Sequence, residues 1–384
     1  RERFWKTKEE ALSALLGCYT SMMEDNVLTR YFVWGEMRAD MVEPTPDASA
    51  SLTDIRNGEI SSSNEYTTWG EFYRTINQCN TVIELAPQVL KKDMSFSDKT
   101  LHQYVAEATC VRTLAYFYLL RAFRDVPYVT RASIYDDQNY SPAKMPQAQL
   151  VDSLIACLEN IDARNALPES YNDLVFTKGR FTRWGMKTLL ADIYLWKGDY
   201  EKCVQQCNQI MGSGQYSLVP VSREQLIQED VIMGKTDTIY IPSEGDVTSL
   251  FDKMYVKGNS VESILELQFG TDKNNPWVKW FRPVYAYLQP NMANMQSVFF
   301  PTSEIDGDYY DIRSEGVSYK QGYIWKWIGL SRDVYQYRDV NASFSNWIFY
   351  RLADVYLMKA EALTQQAILE GNNQDKLQDA HALV

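Results

Sequence analysis

The chain has few of the residues on which chemistry at an active site usually depends. It contains only two histidines, His102 and His381, and its six cysteines form no Cys-x-x-Cys pair and have no His nearby. A zinc site or a redox pair cannot be completed locally from that set. No Ser or Cys nucleophile lies in a recognisable setting with a His, and no Gly-rich phosphate loop is present. The sequence therefore predicts no catalytic residues, no metal site and no cofactor.

Positive charge and long apolar runs are also scarce. The formal net charge is −12, and no segment gathers Lys and Arg into the stripe that phosphate backbones need. No run approaches the roughly 18 apolar residues of a membrane helix, since the run from Leu114 to Leu120 is bounded by Arg112 and Arg121. We predict no nucleic-acid partner and no membrane span. The chain begins at Arg1, so we expect that any targeting leader has been removed.

An eight-residue phrase is repeated three times. Its first, fourth, fifth and eighth positions share one helical stripe, and its Ala lies beside that stripe, where a partner helix can approach closely. After the second copy, the run Lys197 to Tyr200 breaks the helix at Gly198, and a second helix follows over 201–211. This unit resembles a tetratricopeptide repeat, with Cys203 as the small residue that follows the turn. The three copies are Leu114–Arg121, Leu190–Lys197 and Leu352–Lys359.

The helical rows predict a single domain over residues 1–384 in three parts. Residues 1–211 form a helical scaffold, with helices predicted over 8–23, 69–86, 101–124, 146–162 and 181–211. Residues 212–345 form a loop-rich inserted region, in which Val261–Phe269 alternates as a strand would. Residues 346–384 return to helices, and we expect the last unit to be incomplete. The predicted fold class is mainly α, a tetratricopeptide-like scaffold of helical pairs with short strands in the insert.

Aromatic residues are abundant in the inserted region. A sugar site needs flat apolar faces for pyranose rings and amides or carboxylates for the hydroxyls. The segment 274–285 and a second set at Tyr323, Trp325 and Trp327 offer both, although each ring could equally be an ordinary core residue. Trp34 and Trp69 fall in helical or near-helical stretches and are predicted to pack. The predicted ligand-binding residues are Asn274, Asn275, Trp277, Trp280, Tyr285, Trp325 and Trp327.

The acidic residues of the insert do not form a catalytic pair. Glu262 and Glu266 would lie about 13 Å apart along a strand, beyond the roughly 5 to 9.5 Å that separates glycosidase carboxylates. Asp306, Asp308 and Asp311 are dense enough for a cation, yet they lack the spacing and the closing Glu of a calcium loop. Asp311 and Arg313 are predicted to form a local ion pair at a turn.

The order of these segments resembles the SusD/RagB-like family over nearly the whole chain. Two departures stand out: Arg124 replaces the Gly that the family usually has before Asp-Val-Pro, and family members usually continue past the point that matches Val384. The segments that carry the resemblance are Trp69–Glu84, Glu107–Arg112 with Arg124–Pro127, Leu189–Tyr200, Ser263–Gln268, Asp311–Arg313 and Arg351–Ala362.

This resemblance implies a function and a location. Members are outer-membrane lipoproteins at the cell surface that capture oligo- or polysaccharide and pass it to a SusC-like TonB-dependent porin. The lipid anchor that would attach such a protein to the membrane is not in this sequence. Three alternatives stay open: a peptide-binding member of the same fold, a glycoside-processing enzyme, and a repeat scaffold that binds only proteins.

Overall fold

The computed structural model describes residues 4–134, 141–230, 235–284, 286–299 and 311–384. Helices dominate this part of the chain. They are α1 (Lys8–Met22), α2 (Asp25–Trp34), α3 (Ala50–Asn57), α4 (Gly70–Leu85), α5 (Asp98–Phe123), α6 (Gln147–Ala163), α7 (Leu174–Gly179), α8 (Arg183–Lys197), α9 (Tyr200–Met211), α10 (Glu244–Phe251), α11 (Trp277–Phe281), α12 (Met292–Phe299), α13 (Leu352–Leu369) and α14 (Gln374–His381).

The described strands are short and pair in twos. All five pairs are antiparallel: β1 with β7, β2 with β3, β4 with β5, β6 with β10, and β8 with β9. Their bounds are β1 (Val42–Pro44), β2 (Val126–Pro127), β3 (Lys144–Met145), β4 (Arg223–Asp230), β5 (Lys235–Pro242), β6 (Ser263–Leu267), β7 (Leu288–Pro290), β8 (Tyr319–Lys320), β9 (Tyr323–Ile324) and β10 (Trp347–Arg351).

Consecutive helices of the scaffold pack as hairpins, as the repeated phrase predicts. Between α8 and α9, Gly198 has φ +84°, a left-handed conformation that ends a helix at little cost for glycine. The side chain of Asp199 then caps α9 by accepting from the amide of Lys202. Cys203 is fully buried, with its Sγ 3.9 Å from the carbonyl oxygen of Met358 on α13, so the small residue faces a neighbouring hairpin. The mainly α, helical-pair fold class is confirmed.

A buried ion pair connects α1, α5 and the segment that leads into α8. Glu107 of α5 is fully buried, and the Arg180 guanidinium donates to both of its carboxylate oxygens, at 2.9 and 2.7 Å. The hydroxyl of Tyr19 on α1 donates to the same carboxylate at 3.1 Å and accepts from the amide of Phe181 at 2.9 Å. Because each charged oxygen has a partner, the desolvation of the pair is compensated. The network fixes α1, α5 and the entry to α8.

Strand β6 joins the inserted region to the scaffold. The sequence-predicted strand is present, but both of its faces are buried, since Ile264 and Glu266 are covered as well as Ser263 and Leu265. The ammonium of Lys178 on α7 donates to the carbonyl oxygen of Ser263 at 2.5 Å. Burial lowers the pKa of Lys178 to about 8, with the carboxylate of Glu266 acting in the opposite direction. The buried ammonium of Lys178 therefore links α7 of the scaffold to β6 of the inserted region.

The sequence-based outline of the scaffold omits α2, α3 and α7, and two further differences lie in and beside the inserted region. The helix expected from Asn346 begins only at Leu352, because Trp347–Arg351 pairs with β6 as a strand before the chain turns into α13. The inserted region also contains α10, α11 and α12, which the Gly, Pro and Asn content of residues 212–345 did not predict. In both places long-range packing decides the local structure, which a short sequence window does not report.

Candidate functional site

Three of the predicted tryptophans, Trp277, Trp280 and Trp327, meet in one buried aromatic cluster. Trp277 lies 5.2 Å from Trp347 and 5.7 Å from Phe32 of α2, measured between ring centroids. Trp327 stacks on Trp347 at 5.5 Å with an interplanar angle of 12°. Trp280 packs edge-on to Trp277 at 6.1 Å. The cluster therefore joins α2, α11, β10 and the loop after β9 in a continuous core.

These indoles have little surface open to a ligand. Trp277 and Trp325 are 0% exposed, Trp327 is 6% exposed and Trp280 is 7% exposed. The ammonium of Lys326 lies 4.1 Å from the ring centroid of Trp327. Direct stacking of a sugar on any of the four stays a prediction, but the geometry opposes it because the rings would first have to leave the core. Tyr285, the remaining aromatic of the predicted set, lies outside the described residues.

The two predicted asparagines hold loops together. Asn275 is buried; its amide nitrogen donates to the carbonyl oxygen of Ser345 at 2.7 Å, and its side-chain oxygen accepts from Ser343 at 2.6 Å. Asn274 is half-buried and donates to the carbonyl oxygen of Asn341 at 3.2 Å. A sugar hydroxyl would have to displace these bonds. Ligand contact by either amide stays a prediction, while the structure assigns both to fixing the loop over α11.

Exposed tyrosines lie on the outer side of the buried rings. Tyr335 is 40% exposed and stacks on buried Trp325 at 5.4 Å and 15°, so Trp325 covers one ring face. Tyr337 is also 40% exposed, 6.0 Å from Tyr335. Burial, followed by the neighbouring Tyr323 and Tyr337, raises the pKa of Tyr335, which keeps its hydroxyl protonated at neutral pH. The group combines apolar faces with hydroxyl donors.

A further exposed tyrosine lies at the other end of this surface. Tyr287 is 41% exposed, packs edge-on to Trp280 at 6.3 Å, and donates its amide to the carbonyl oxygen of Trp280 at 2.9 Å. It directly precedes β7, and β9, which carries Tyr323, packs beside β7. We call the set Tyr287, Tyr323, Tyr335 and Tyr337 the tyrosine rim. Each end of the rim rests on a buried tryptophan.

Polar groups border the rim near Tyr287. Gln289 of β7 donates its side-chain amide to Glu43 of β1 at 2.8 Å. Asn294 donates to the carbonyl oxygen of Asp40 at 2.8 Å, and the Asp40 carboxylate pairs with Arg56 at 2.9 Å. The segment that contains Asp40 and Glu43 thus lies against β7 and α12, where amides and carboxylates accompany an exposed ring. That combination suits polyhydroxylated ligands.

The carboxylates of the strand are engaged in structural bonds. Glu262 accepts from the amide of Val219 at 2.8 Å and pairs with Arg351 at 3.2 Å. Glu266 accepts from the amide of Asn259 at 3.0 Å and from the side chain of Asn346. Neither carboxylate is exposed to a substrate, consistent with the prediction that they are not a glycosidase pair.

The metal and packing predictions fall partly within the described residues. The ion pair of Asp311 with Arg313 is confirmed at 2.5 Å. Asp306 and Asp308, the other members of the possible cation group, lie outside the described residues. Within the part of the chain that the structure describes, no three His, Cys, Asp or Glu side chains come together as a metal site.

The indole of Trp34 donates to the carbonyl oxygen of Tyr66 at 2.9 Å and stacks on Phe72, as its packing role predicts.

Sequence reasoning selected the tryptophans of this segment as ligand-binding residues, and that selection stays a prediction, while the exposed rings that the structure shows nearby are tyrosines. The signal for the tyrosines was available: Tyr335 and Tyr337 alternate in a short polar stretch that follows Trp325-x-Trp327. Alternating residues of an extended segment point the same way. Tryptophan carries the larger apolar surface and gains more from burial, so the tryptophans occupy the core and the tyrosines remain at its edge.

Two protein-family models match the chain. Residues 10–195 match a SusD-like model described as starch-binding and associating with the outer membrane, and residues 262–382 match the model of the SusD family. No helix in the described ranges has the length and apolar character needed to cross a membrane.

Curated and solved proteins agree with these matches. SusD-like protein P38 of Formosa agariphila is 27% identical over 95% of this chain and 72% of its own length. A SusD superfamily structure from Bacteroides thetaiotaomicron superposes with a TM-score of 0.71 at 19% identity, covering 99% of this chain and 79% of that one. A structure described as a laminarin-binding SusD-like protein gives a TM-score of 0.65 at 18% identity, covering 97% and 84%. From the family models and the shared fold together, the chain belongs to the SusD/RagB-like family.

Proposed function

We propose that this protein is a non-catalytic cell-surface binding protein that captures an oligo- or polysaccharide on the tyrosine rim. The observation that carries the proposal is the exposed ring of Tyr335 backed by buried Trp325 at 5.4 Å. A ring held in one orientation loses little conformational freedom when a pyranose stacks on it, so more of the contact energy remains as affinity. Tyr287 also packs on a buried tryptophan, Trp280, although through an edge-on contact at 6.3 Å.

The same proposal includes the membrane location of the protein and the transporter that would receive the captured glycan. As in the family it belongs to, the protein would be attached to the outer membrane by a lipid and would deliver its ligand to a SusC-like TonB-dependent transporter. The match to a model described as associating with the outer membrane supports this location. A glucan such as laminarin is a reasonable first ligand, because a structural neighbour at 18% identity is described as binding it.

Isothermal titration against a panel of plant, host and microbial polysaccharides, with laminarin and starch included, tests the ligand class. We expect at least one glycan to bind without release of reducing sugar. If no glycan binds and a peptide does, the proposal is wrong and the peptide-binding alternative is supported. Release of reducing ends from a bound glycan would instead show an enzyme.

Substitutions locate the binding surface. We expect Tyr335→Ala and Tyr287→Ala to weaken glycan binding, while Trp196→Ala leaves it unchanged. Trp196 is the matched control because it is 46% exposed and belongs to the scaffold, where it packs on Phe117 at 6.3 Å. Equal binding by all three variants and the parent protein would remove the rim as the site and leave the ligand class standing.

A further inference from the structure

A cleft between α5 and α6 of the scaffold contains a buried arginine. Its inner cavity has a volume of about 220 Å³ and is lined by His102, Arg112, Cys157 and Arg164, among others. An outer cavity of about 590 Å³ shares His102 and Arg164 with it and adds Lys99 and Arg183. We call the two together the Arg112 cleft. Its residues lie outside the tyrosine rim and take no part in the proposed glycan site.

Arg112 has no carboxylate partner among the described residues. The residue is 7% exposed, and its one hydrogen bond in that part of the chain runs from Nη1 to the side-chain oxygen of Asn80 at 2.7 Å. Asn80 is held in place by its own amide, which donates to the carbonyl oxygens of Val129 and Arg131 at 3.0 and 3.1 Å. A neutral amide oxygen therefore serves one edge of the guanidinium, and no carboxylate of the described residues compensates its charge.

Arg180, another buried arginine of the scaffold, shows the contrast, whereas the third, Arg30, donates to backbone carbonyl oxygens. Arg180 is 8% exposed, about as buried as Arg112, yet it forms a two-pronged ion pair with Glu107. A buried charge without a counter-ion is costly, which is why such charges are normally paired. At Arg112 no carboxylate from the described part of the chain takes the place of that counter-ion, and the side chain lines a cavity.

The rest of the cleft has the same sign of charge. Lys99 and Arg164 are exposed, and neither has a carboxylate within 4.0 Å among the described residues. Glu169, the carboxylate in the outer lining, is paired with Arg183 at 3.4 Å. This cationic excess occurs in a chain of net charge −12. A concave surface of one sign concentrates the opposite ion.

We propose that the Arg112 cleft binds an oxyanion, a carboxylate or a sulfate, with the guanidinium of Arg112 at the inner end and Arg164 at the entrance. Guanidinium suits this ligand because its planar N–H groups match two oxygens of one anion. The source is either a free inorganic ion or the acidic group of a sugar. The site does not depend on the tyrosine rim.

Cys157 supplies a local reporter for this site. It lines the inner cavity, and it is the one half-exposed thiol, since the other five cysteines are free and buried. Alkylation by neutral iodoacetamide, followed by intact mass, would measure its accessibility, and Cys157→Ser would identify the signal. An oxyanion beside Arg112 covers the thiol. We expect sodium sulfate or sodium glucuronate at about ten times its dissociation constant to slow the reaction ~10-fold relative to sodium chloride of equal ionic strength.

Variants separate a bound anion from a general salt effect. Arg164→Ala, at an exposed position, should fold normally and lose most of the protection, whereas Lys279→Ala, an exposed lysine of the insert, should keep it. Arg112→Lys retains the charge but not the planar pair of N–H donors. If this variant folds, the oxyanion should protect Cys157 even less than in Arg164→Ala. Protection by sulfate alone or by glucuronate alone supports the site and shows whether its ligand is a free inorganic ion or the acidic group of a sugar. Equal alkylation rates in chloride, sulfate and glucuronate, or equal protection in Arg164→Ala and the parent protein, would overturn the proposal.

Discussion

The scaffold and the inserted region are held together by different kinds of contact. In the scaffold, a buried carboxylate, Glu107, collects bonds from α1 and from Arg180. In the insert, Trp277 and Trp327 fill the core with stacked and tilted rings, together with Trp347 of β10. A charged network requires one geometry, whereas packed rings tolerate variation at their outer edge. The tyrosine rim lies at the outer edge of these packed rings, where Tyr335 and Tyr287 contact Trp325 and Trp280.

The largest effect should come from the scaffold's charged network. Glu107→Gln leaves Arg180 buried without a counter-ion, and we expect a loss of about 3–5 kcal/mol in the free energy of unfolding. Urea denaturation measures it. The matched control is Asp311→Asn, which breaks a pair whose arginine side chain is 60% exposed and should cost less than about 1 kcal/mol. Equal losses for the two variants would mean that the buried pair contributes no more to the free energy of unfolding than an exposed pair does.

The aromatic core of the insert should be nearly as sensitive. Trp277→Ala removes a fully buried indole and should cost about 3–5 kcal/mol in unfolding free energy. Trp277→Phe keeps most of the ring and removes an indole N–H that has no partner among the described residues, so its cost should be clearly smaller. Thermal and urea unfolding of both variants would check this order. A negligible cost for Trp277→Ala would show that the ring is not part of the core.

The junction between the two regions should respond to alkaline pH. The pKa of Lys178 is about 8 in the folded protein and about 10.5 in an unfolded chain. Between these values the unfolded state binds more protons, so this lysine's contribution to stability rises with pH from about 8 to 10.5 and is constant below about 8. The change is on the order of 1–3 kcal/mol.

The variant Lys178→Met isolates that contribution. The unfolding free energy of the parent protein minus that of the variant should increase over this window, as measured by urea denaturation at several pH values. The same difference for Lys279→Met, at an exposed lysine, should stay flat. A flat difference for Lys178→Met as well would contradict the lowered pKa of the buried Lys178 amine at the junction.

The smallest free-energy effect is expected at the tyrosine rim, where it appears in binding and not in folding. Tyr335→Ala removes an exposed ring and should leave the unfolding free energy within about 1 kcal/mol of the parent value. Loss of one stacked ring should weaken glycan affinity about tenfold, which is ~1.4 kcal/mol. Tyr335→Phe, which keeps the ring and loses only the hydroxyl, should retain most of the affinity. A similar loss in both variants would assign the contact to the hydroxyl.

Sequence patterns predicted the scaffold well because its information is local. The copies at Leu114, Leu190 and Leu352 each carry their own helical stripe, and Gly198 marks the turn that follows the second copy. The insert was harder, since strand β10 exists only through its pairing with Ser263–Leu267. Register and burial there depend on contacts about 80 residues away, which no local period records.

The sequence predicts ligand-binding tryptophans in the insert, whereas the exposed rings that the structure shows beside them are tyrosines. Residue type alone could not separate Trp325 from Tyr335, because both are aromatic, both lie in one loop system, and the two rings stack on each other. Which one faces solvent is decided by the three-dimensional path of residues 325–337. The Arg112 cleft gave no sequence signal, because the missing counter-ion of Arg112 is visible only when its neighbours are known.

A crystal structure with the tightest-binding oligosaccharide tests the central claim most directly. The account predicts a pyranose ring stacked within about 4 Å of the exposed face of Tyr335 or Tyr287, with Trp325 and Trp280 still buried behind them. A sugar bound on the scaffold helices, or one that contacts Trp277 and Trp327 after their displacement from the core, would contradict it.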